Sequence, residues 1–337
     1  MDFNRMLNPK LKLNPKIFND DVEQIPTRKG FGKGLLSAGE ADKNIVGLCA
    51  DLTESTQMNL FADKFPERFV QVGVAEQNLV TVASGLAASG KIPFCSSYAM
   101  FSPGRNWEQI RTTITYNDRP VKIVGSHSGI SVGPDGGTHQ ALEDIALMRV
   151  LPNIDVVNPC DAIEAKKATL ALAKTSKPAY LRVERAPTPV ITTEETPFNL
   201  GKAEIYFLPD VGLAQVGIIS TGGLTHRALL AAKELEAEGV KIKVMNLATI
   251  KPLDKDAILA LAKETKAIVT VEEHQVAGGM GSAVSEMLAQ NFPVLIEFIG
   301  VKDLYGQSGT PDELIEHYGL GKSSIKEAVR KVLARKL

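Results

Sequence analysis

The stretch FVQVGVAEQNLVTVASGLAASG, residues 69–90, contains one charged side chain, Glu76, in an otherwise uncharged and mostly apolar run. Its apolar composition predicts a short buried strand over 68–73 and a largely buried helix over 76–89. A glutamate in the first turn of a helix is favoured by the helix dipole, so its position alone does not assign a function. However, a buried carboxylate without a partner costs several kcal/mol. The stretch therefore predicts a strand–helix unit with a buried carboxylate, and this carboxylate requires a partner.

Apolar strand-length runs alternate with helix-length segments on both sides of this stretch. The other strands predicted in the first half are 44–51, 92–98, 121–127, 154–159 and 179–183. The other helices predicted there are 104–117, 139–149 and 161–175. Strands that alternate with helices indicate a mostly parallel sheet covered by helices on both faces.

A second, shorter α/β series follows an irregular stretch that is rich in proline. Its predicted strands are 216–221, 242–248, 267–273 and 294–300, and its predicted helices are 224–238, 254–264, 279–290 and 323–335. We therefore expect an α/β fold of two domains, each a mostly parallel sheet covered by helices. The predicted divisions are 1–24 (an N-terminal arm that packs elsewhere or frays), 25–190 (first domain), 191–212 (linker) and 213–337 (second domain).

Composition excludes several classes of function. The 337 residues include 38 basic and 39 acidic ones, and no basic tract that would favour nucleic acid stands out. No run of about 20 apolar residues predicts a membrane span, and the N-terminus lacks the apolar core of a signal peptide. Three widely spaced cysteines argue against a disulfide framework or a zinc site. We expect a cytoplasmic protein with no metal ligands of its own.

Polar clusters follow four of the strands predicted in the first domain, where ligands bind in open α/β sheets. The most unusual is HSGISVGPDGGTHQ, residues 127–140, with four glycines and one proline in fourteen residues. Such a loop can fold tightly and bring His127, Asp135 and His139 to a ligand. Imidazole suits proton transfer near neutral pH. A glycine-rich turn with two surface histidines is the alternative that composition leaves open.

Together, DLTEST, FVQVGVAEQNLVTVASGLA, GSHSGISVGPDGGTHQALEDIALMRVLPNIDVVNP and VEEHQVAGGMGSAVSE resemble the C-terminal half of transketolase over residues 25–337. GVAEQ alone is shared by related thiamine diphosphate enzymes, whereas its combination with GPDGGTHQ is much more specific. The resemblance implies a pyrimidine-binding domain followed by a transketolase C-terminal domain. The Gly-Asp-Gly motif by which the family holds the cofactor's diphosphate and Mg²⁺ is absent from this sequence. The chain therefore resembles half of a split transketolase, whose partner subunit would supply those contacts.

The resemblance also implies roles for individual residues. Glu76 matches the glutamate that hydrogen-bonds a ring nitrogen of the cofactor's aminopyrimidine, so its partner is expected to be the cofactor and not another residue. Tyr98 and Phe101 resemble the aromatic residues that pack against that ring, and Phe94 is a less clearly aligned candidate. Ordinary core filling is the alternative for these rings.

Substrate contacts follow from the same resemblance. His127 resembles a histidine near the sugar phosphate or hydroxyls, Asp135 an aspartate that contacts a substrate hydroxyl, and His139 a histidine that assists proton transfer at the donor. Arg28, Ser55 and Arg185 align with residues that hold the sugar phosphate, with Arg182 as the alternative to Arg185. Arginine suits this task because its planar guanidinium binds phosphate through two hydrogen bonds.

Two glycine pairs and one histidine of the second domain carry weaker signals. STGGLTH and GGMGS resemble phosphate-binding loops, but a glycine pair after a strand is a weak signal, and tight turns explain both. His274 in VEEHQ is likewise predicted to be structural.

The expected function is that of the C-terminal subunit of a two-chain transketolase. The resemblance implies an α2β2 complex with a diphosphate-binding partner. This complex would transfer a two-carbon ketol unit between phosphosugars, using thiamine diphosphate and Mg²⁺ held by the partner. Three alternatives remain. They are the beta subunit of a 2-oxo acid dehydrogenase E1, half of a deoxyxylulose phosphate synthase, and a non-catalytic partner subunit.

Overall fold

Two sheets form the centre of the computed structural model, which describes residues 3–336. The strands are β1 (Gln24–Pro26), β2 (Ile45–Cys49), β3 (Phe69–Gln71), β4 (Ile92–Tyr98), β5 (Lys122–Ser126), β6 (Asp155–Val157), β7 (Ala179–Arg182), β8 (Pro187–Pro189), β9 (Glu204–Phe207), β10 (Val216–Ser220), β11 (Ile242–Asn246), β12 (Thr249–Lys251), β13 (Ala267–Gln275) and β14 (Leu295–Val301). All ten predicted strands are present, and each end lies within two residues of its predicted position.

Helices cover the sheets. They are α1 (Thr27–Ala41), α2 (Asn59–Lys64), α3 (Glu76–Ala88), α4 (Trp107–Gln109), α5 (Asp144–Arg149), α6 (Ala162–Ala173), α7 (Leu224–Ala237), α8 (Lys255–Thr265), α9 (Met280–Asn291), α10 (Pro311–His317) and α11 (Lys322–Ala334). A π-helix, Ile110–Thr115, continues α4, and short 3₁₀ helices span Phe3–Met6, Pro66–Arg68 and Ile130–Asp135. Within the described residues, no helix is both long and apolar enough to cross a membrane.

The first sheet has the order β12-β6-β7-β5-β4-β2-β3, and the second has the order β14-β13-β10-β11-β9. All neighbours are parallel except β12 and β9, which are antiparallel edge strands. β2, β5 and β10 are buried along their whole length, because helices cover both faces of a parallel sheet. The predicted fold class, two α/β domains with mostly parallel sheets, is confirmed.

The helix α1 is an element that the sequence pattern does not reveal. Its four glycines lower helix propensity, but two of them face α6 at short range. A Cβ on Gly30 would lie 1.8 Å from the carbonyl oxygen of Ala162, and one on Gly34 would lie 2.8 Å from Thr169. Gly30 and Gly34 therefore allow the close packing of α1 against α6.

The sequence pattern also predicts neither of the two antiparallel edge strands, β9 and β12. The predicted linker, 191–212, includes β9, which pairs with β11 of the second sheet. β12 follows the second-domain strand β11 in the chain but pairs with β6 of the first sheet. The two domains are thus joined by a shared strand as well as by the connection between them.

The N-terminal arm lies on the second domain. Met6, Leu7, Leu11 and Ile17 are buried in the same apolar cluster as α7 and α11. Leu7 bridges to Phe207 of β9, and the carbonyl oxygen of Ile17 lies 2.9 Å from Nε2 of His226. Of the two interpretations of this segment, the structure shows the packed arm.

One predicted helix is shorter than expected. The segment 139–149 is helical only over α5, because residues 139–143 belong to the glycine-rich loop. The Gly129 amide donates to the Ala141 carbonyl, and the Gln140 side chain donates to the carbonyls of Ile130 and Gly133. These bonds close the loop before the helix begins.

Candidate active site

Glu76 begins α3 and is 3% exposed. Its carboxylate accepts hydrogen bonds from the Ser97 hydroxyl and from Nη1 of Arg105, both at 3.1 Å. Asn106 donates to its main-chain carbonyl at 2.8 Å. The expectation that Glu76 has no partner among the residues is therefore wrong. A buried carboxylate needs compensation by hydrogen bonds or a positive charge, and the segment after β4 supplies both.

Aromatic rings gather beside this carboxylate at the end of β4. The ring of Tyr98 stacks on His127 with centroids 3.9 Å apart. Phe101 lies 6.1 Å from Tyr98 and 5.3 Å from His139, and the Arg105 guanidinium lies 4.2 Å from the centre of the Phe101 ring. The fold thus brings the predicted aromatic residues and both predicted histidines into one cluster.

Phe94, the less clearly aligned candidate, lies elsewhere. It is fully buried in the core beneath α1, where its ring packs 6.5 Å from that of Phe31. Core filling accounts for this side chain.

His127 follows β5 with a left-handed backbone, φ 54°. Strain of this kind in a non-glycine residue is common at functional sites. Its ring is buried, and Nδ1 lies 2.9 Å from the Ser126 hydroxyl. Burial, together with the nearby positive charges of Arg28 and Arg185, lowers the pKa of His127 to about 3. The imidazole is therefore neutral at physiological pH and can both donate and accept one hydrogen bond.

Asp135 and His139 lie further along the same loop. Asp135 is exposed at the end of the 3₁₀ helix Ile130–Asp135, outside the ring cluster. His139 is half-buried, and its Nδ1 lies 3.0 Å from the Thr138 hydroxyl. His139 thus belongs to the ring cluster, 5.3 Å from Phe101 between centroids, whereas Asp135 faces solvent in the same loop.

Two arginines place positive charge beside His127. Arg28 lies in the first turn of α1, and its Nη1 donates to the carbonyl oxygen of Ser55. Burial and the charge of Arg185 lower the pKa of Arg28, and its Nε is buried without a hydrogen-bond partner among the described residues. Arg185 donates to the Val132 carbonyl at 2.9 Å. Two arginines that repel each other, one with a free buried donor, suit a bound anion.

Arg182, the alternative to Arg185, has a different place. It is fully buried and ion-paired with Asp144 at 2.8 Å, and it donates to the carbonyls of Ala141 and Glu273. Its positive charge is paired with Asp144, and its hydrogen bonds join the two domains. Arg185 is therefore the arginine beside His127.

The glycine pairs of the second domain are occupied by internal carboxylates. Glu184 accepts from the Gly223 amide at the start of α7, and Glu272 accepts from the amides of Met280 and Gly281 at the start of α9. Helix N-termini attract anions, but here the protein supplies them. His274 is fully buried, and burial lowers its pKa to about 4. These loops are structural in the described chain.

A cavity of about 430 Å³ opens at Glu76, lined by Val74, Ala75, Glu76, Gln77, Asn78 and Arg105. A buried carboxylate that faces a cavity fits a ligand nitrogen with which it can form a hydrogen bond. The rings of Tyr98 and Phe101 are not among the residues that line this cavity. Among the described residues, no group of three or more His, Cys, Asp or Glu side chains could hold a metal ion. The three cysteines are buried free thiols.

This fold and this set of residues define a two-domain α/β protein with a candidate site at one edge of its first sheet. Comparisons with known proteins identify its family. Residues 23–190 match the transketolase pyrimidine-binding domain, and residues 208–325 match the transketolase C-terminal domain. The chain belongs to the transketolase family, whose members depend on thiamine diphosphate.

Three similar proteins indicate which part of a transketolase this chain represents. A putative transketolase C-terminal section of Methanocaldococcus jannaschii is 43% identical over 90% of this chain and 94% of its own length. The 6-deoxy-6-sulfo-D-fructose transketolase subunit SqwH of Clostridium sp. (strain MSTE9) is 40% identical over 95% of this chain and 98% of its own length. A split-gene transketolase, solved as an inactive beta4 tetramer, is 42% identical with a TM-score of 0.85. The match covers 92% of this chain and 99% of that structure's chain. The chain is a transketolase-family subunit of the split, C-terminal type.

Arg105 and Glu273 are functional candidates that sequence reasoning missed. Arg105 lies in the segment SSYAMFSPGRNWEQIR, seven residues after Tyr98, and its residue type alone gave no signal. For Glu273, whose contact is described below, no local signal exists.

Proposed function

We propose that this chain is the C-terminal subunit of a two-chain, thiamine diphosphate-dependent transketolase. With a partner subunit that holds the diphosphate and Mg²⁺, it transfers a two-carbon ketol unit from a ketose to an aldose. The observation that supports this most is the juxtaposition of buried Glu76, the Tyr98–His127 ring stack and the Arg28–Arg185 pair at one sheet edge.

Each residue has a chemical task in this proposal. Glu76 would form a hydrogen bond with a ring nitrogen of the aminopyrimidine, and Tyr98 and Phe101 would pack against that ring. When bound, thiamine diphosphate supplies the nucleophile and electron sink for the two-carbon unit. His127, neutral and buried, would hydrogen-bond a sugar hydroxyl without repelling the two arginines.

The outer residues would handle the substrate. His139 would exchange a proton with the donor hydroxyl, because an imidazole can act as both a proton acceptor and a proton donor. Asp135 would accept from a sugar hydroxyl at the entrance. Arg28 and Arg185 would hold the terminal anionic group of the sugar through charge-assisted hydrogen bonds.

Since the SqwH relative is named for a sulfo sugar, the identity of that anion is part of the proposal. Phosphate and sulfonate are both tetrahedral and anionic, and the Arg28–Arg185 pair can bind either one. We propose a phosphosugar, and an assay of phosphorylated and sulfonated donors in parallel would decide.

The assembly is also part of the proposal. We propose an α2β2 complex in the cytoplasm, with two active sites, in which neither chain is active alone. The absence of a Gly-Asp-Gly motif and the similarity to a split-gene transketolase solved as an inactive beta4 tetramer support this division of labour.

The proposal is tested by replacing Glu76 in the complex of this chain with its co-purified partner. Glu76→Gln keeps the size of the side chain, and Glu76→Ala removes it. Both should lower ketol transfer by about 100-fold or more. Glu108→Gln, an exposed glutamate of the same region, is the control and should retain full activity. If the Glu76 variants turn over normally, with unchanged cofactor dependence, the chain is a non-catalytic partner.

A further inference from the structure

Three successive buried side chains at the end of β13 each contact a different main-chain amide. Glu272 accepts from the amides of Met280 and Gly281 in α9. Glu273 accepts from the Ser131 amide at 2.6 Å. His274 Nε2 lies 3.4 Å from the Ala146 amide of α5. Glu272 thus stays within its own domain, whereas Glu273 and His274 reach across to the first domain.

The Glu273 contact is made to the loop that carries the predicted substrate residues. Ser131 lies between His127 and Asp135, at the start of the 3₁₀ helix Ile130–Asp135, and it is 142 residues from Glu273 in sequence. The hydrogen bond is short, at 2.6 Å between the Ser131 nitrogen and Oε1 of Glu273. It also satisfies an amide at the start of a helical turn, where no main-chain acceptor is available.

The loop backbone fits closely around this carboxylate. A Cβ on Gly129 would lie 2.2 Å from Oε1 of Glu273, and Gly129 has φ +81°. A side chain at position 129 would therefore both clash and strain the backbone. The glycine that follows His127 by two residues is what allows the loop to reach the carboxylate.

A second contact holds the main chain at Glu273. Its main-chain carbonyl accepts from Arg182 at 2.8 Å, and Arg182 is paired with Asp144. The carbonyl of Ala141, the residue that follows the loop, also accepts from Arg182. The same arginine therefore contacts the main chain of Glu273 and the end of the loop. A cavity of about 270 Å³ is lined by Glu273 and Ser131 among other residues. Other contacts also hold the loop, including the bond from Arg185 to the Val132 carbonyl, so the bond to Glu273 is one of several that place it.

We propose that Glu273 is a positioning residue for the substrate loop, through which the C-terminal domain sets the pose of His127 and Asp135. The proposal rests on the proposed function for its kinetic consequence, but its structural part concerns the chain alone. It assigns to the C-terminal domain a task in substrate binding, although none of the residues predicted to contact the substrate lies in that domain.

The first test is hydrogen exchange of the full chain, followed by mass spectrometry of peptides that cover 128–136. Glu273→Ala removes the acceptor, Glu273→Asp withdraws it by one methylene but keeps the charge, and Glu273→Gln keeps an oxygen that can accept. Glu272→Ala is the matched control, because Glu272 is an equally buried helix-capping glutamate one residue away. We expect about tenfold faster exchange in this loop for the Ala and Asp variants, and near wild-type exchange for Glu273→Gln.

The second test uses the active complex. Glu273→Asp should raise KM for the sugar substrate about tenfold, with a smaller effect on kcat, and Glu273→Gln should restore KM to within about threefold. If the wild-type complex shows no ketol transfer, the proposed function fails. The hydrogen-exchange result still tests whether Glu273 positions the loop. If the Glu272 and Glu273 variants perturb the loop and KM equally, or neither does, the proposal is wrong. If Glu273→Ala does not fold, the Asp and Gln variants decide alone.

Discussion

The ion pair between Glu76 and Arg105 allows a prediction that needs neither cofactor nor partner. Arg105→Met removes the guanidinium, and with it the contact to the Phe101 ring, but keeps most of the apolar stem. The carboxylate then remains buried, at 3% exposure, with the Ser97 hydroxyl as its remaining side-chain donor. The variant should therefore destabilise the first domain, because a buried charge has lost its counter-ion.

The size of the effect follows from the exposure of the two partners. A hydrogen bond between buried charged groups contributes about 1.5–3 kcal/mol, and an exposed ion pair contributes about 0–1 kcal/mol. Arg105 is 52% exposed whereas Glu76 is buried, so water can replace part of what the arginine supplies. We expect Arg105→Met to cost about 1–2 kcal/mol of unfolding free energy, and to cost close to nothing when Glu76 is replaced by glutamine.

Urea unfolding measures this coupling, with Trp107 as the probe. It is the one tryptophan of the chain, it lies two residues from Arg105, and its Nε1 donates to the Leu147 carbonyl at 2.7 Å. Its fluorescence therefore reports the first domain. Arg111→Met, at an exposed position of the adjoining π-helix, is the control and should change stability by less than about 0.5 kcal/mol. An equal cost of Arg105→Met in both backgrounds would refute the reasoning.

Three further predictions follow from the arginine pair, the buried imidazole and the arm. Arg28→Ala should raise KM for a phosphorylated acceptor about 10- to 100-fold, with little change for an unphosphorylated one. A similar loss for both acceptors would contradict an anion site. Because the pKa of His127 is lowered from 6.5 to about 3 on folding, the unfolded chain binds more protons between these values, and stability falls as pH falls. His127→Gln should remove up to about 1.4 kcal/mol per pH unit from that slope between pH 6.5 and 5, measured by urea unfolding, and an unchanged slope would argue against a buried neutral imidazole. Deletion of residues 3–22 should lower the midpoint of thermal unfolding by about 5 °C or more, because the arm buries apolar side chains on the second domain, and an unchanged midpoint in calorimetry would show that the arm contributes nothing.

The sequence predicted the sheets well because buried parallel strands are continuous apolar runs between turns. The same rule placed His127, Asp135 and His139 in a loop at the carboxyl end of a strand, which is where they lie. It failed where an element depends on contacts made elsewhere. α1 contains glycines because it packs closely on α6, and β9 and β12 are short edge strands whose pairing partners are distant in sequence.

The site shows the same division. Glu76 was identified because a single charge in an apolar run is unusual, whereas its ion pair with Arg105, 29 residues away, depends on how the segment after β4 folds back. The Glu273–Ser131 contact spans 142 residues and could not be predicted from any local pattern. Long-range pairing of polar groups is a property of the packed structure, and local residue types carry little information about it.

The central claim is that this chain is one half of an enzyme whose cofactor lies between two different subunits. Affinity purification of the tagged chain from its own cells, with mass identification of the proteins that co-purify, tests this claim most directly. The account predicts a stoichiometric second chain that carries Gly-Asp-Gly and a downstream asparagine, and a complex that transfers a ketol unit only when both chains are present. Recovery of the chain alone, in a form that binds thiamine diphosphate tightly or transfers a ketol unit by itself, would contradict it.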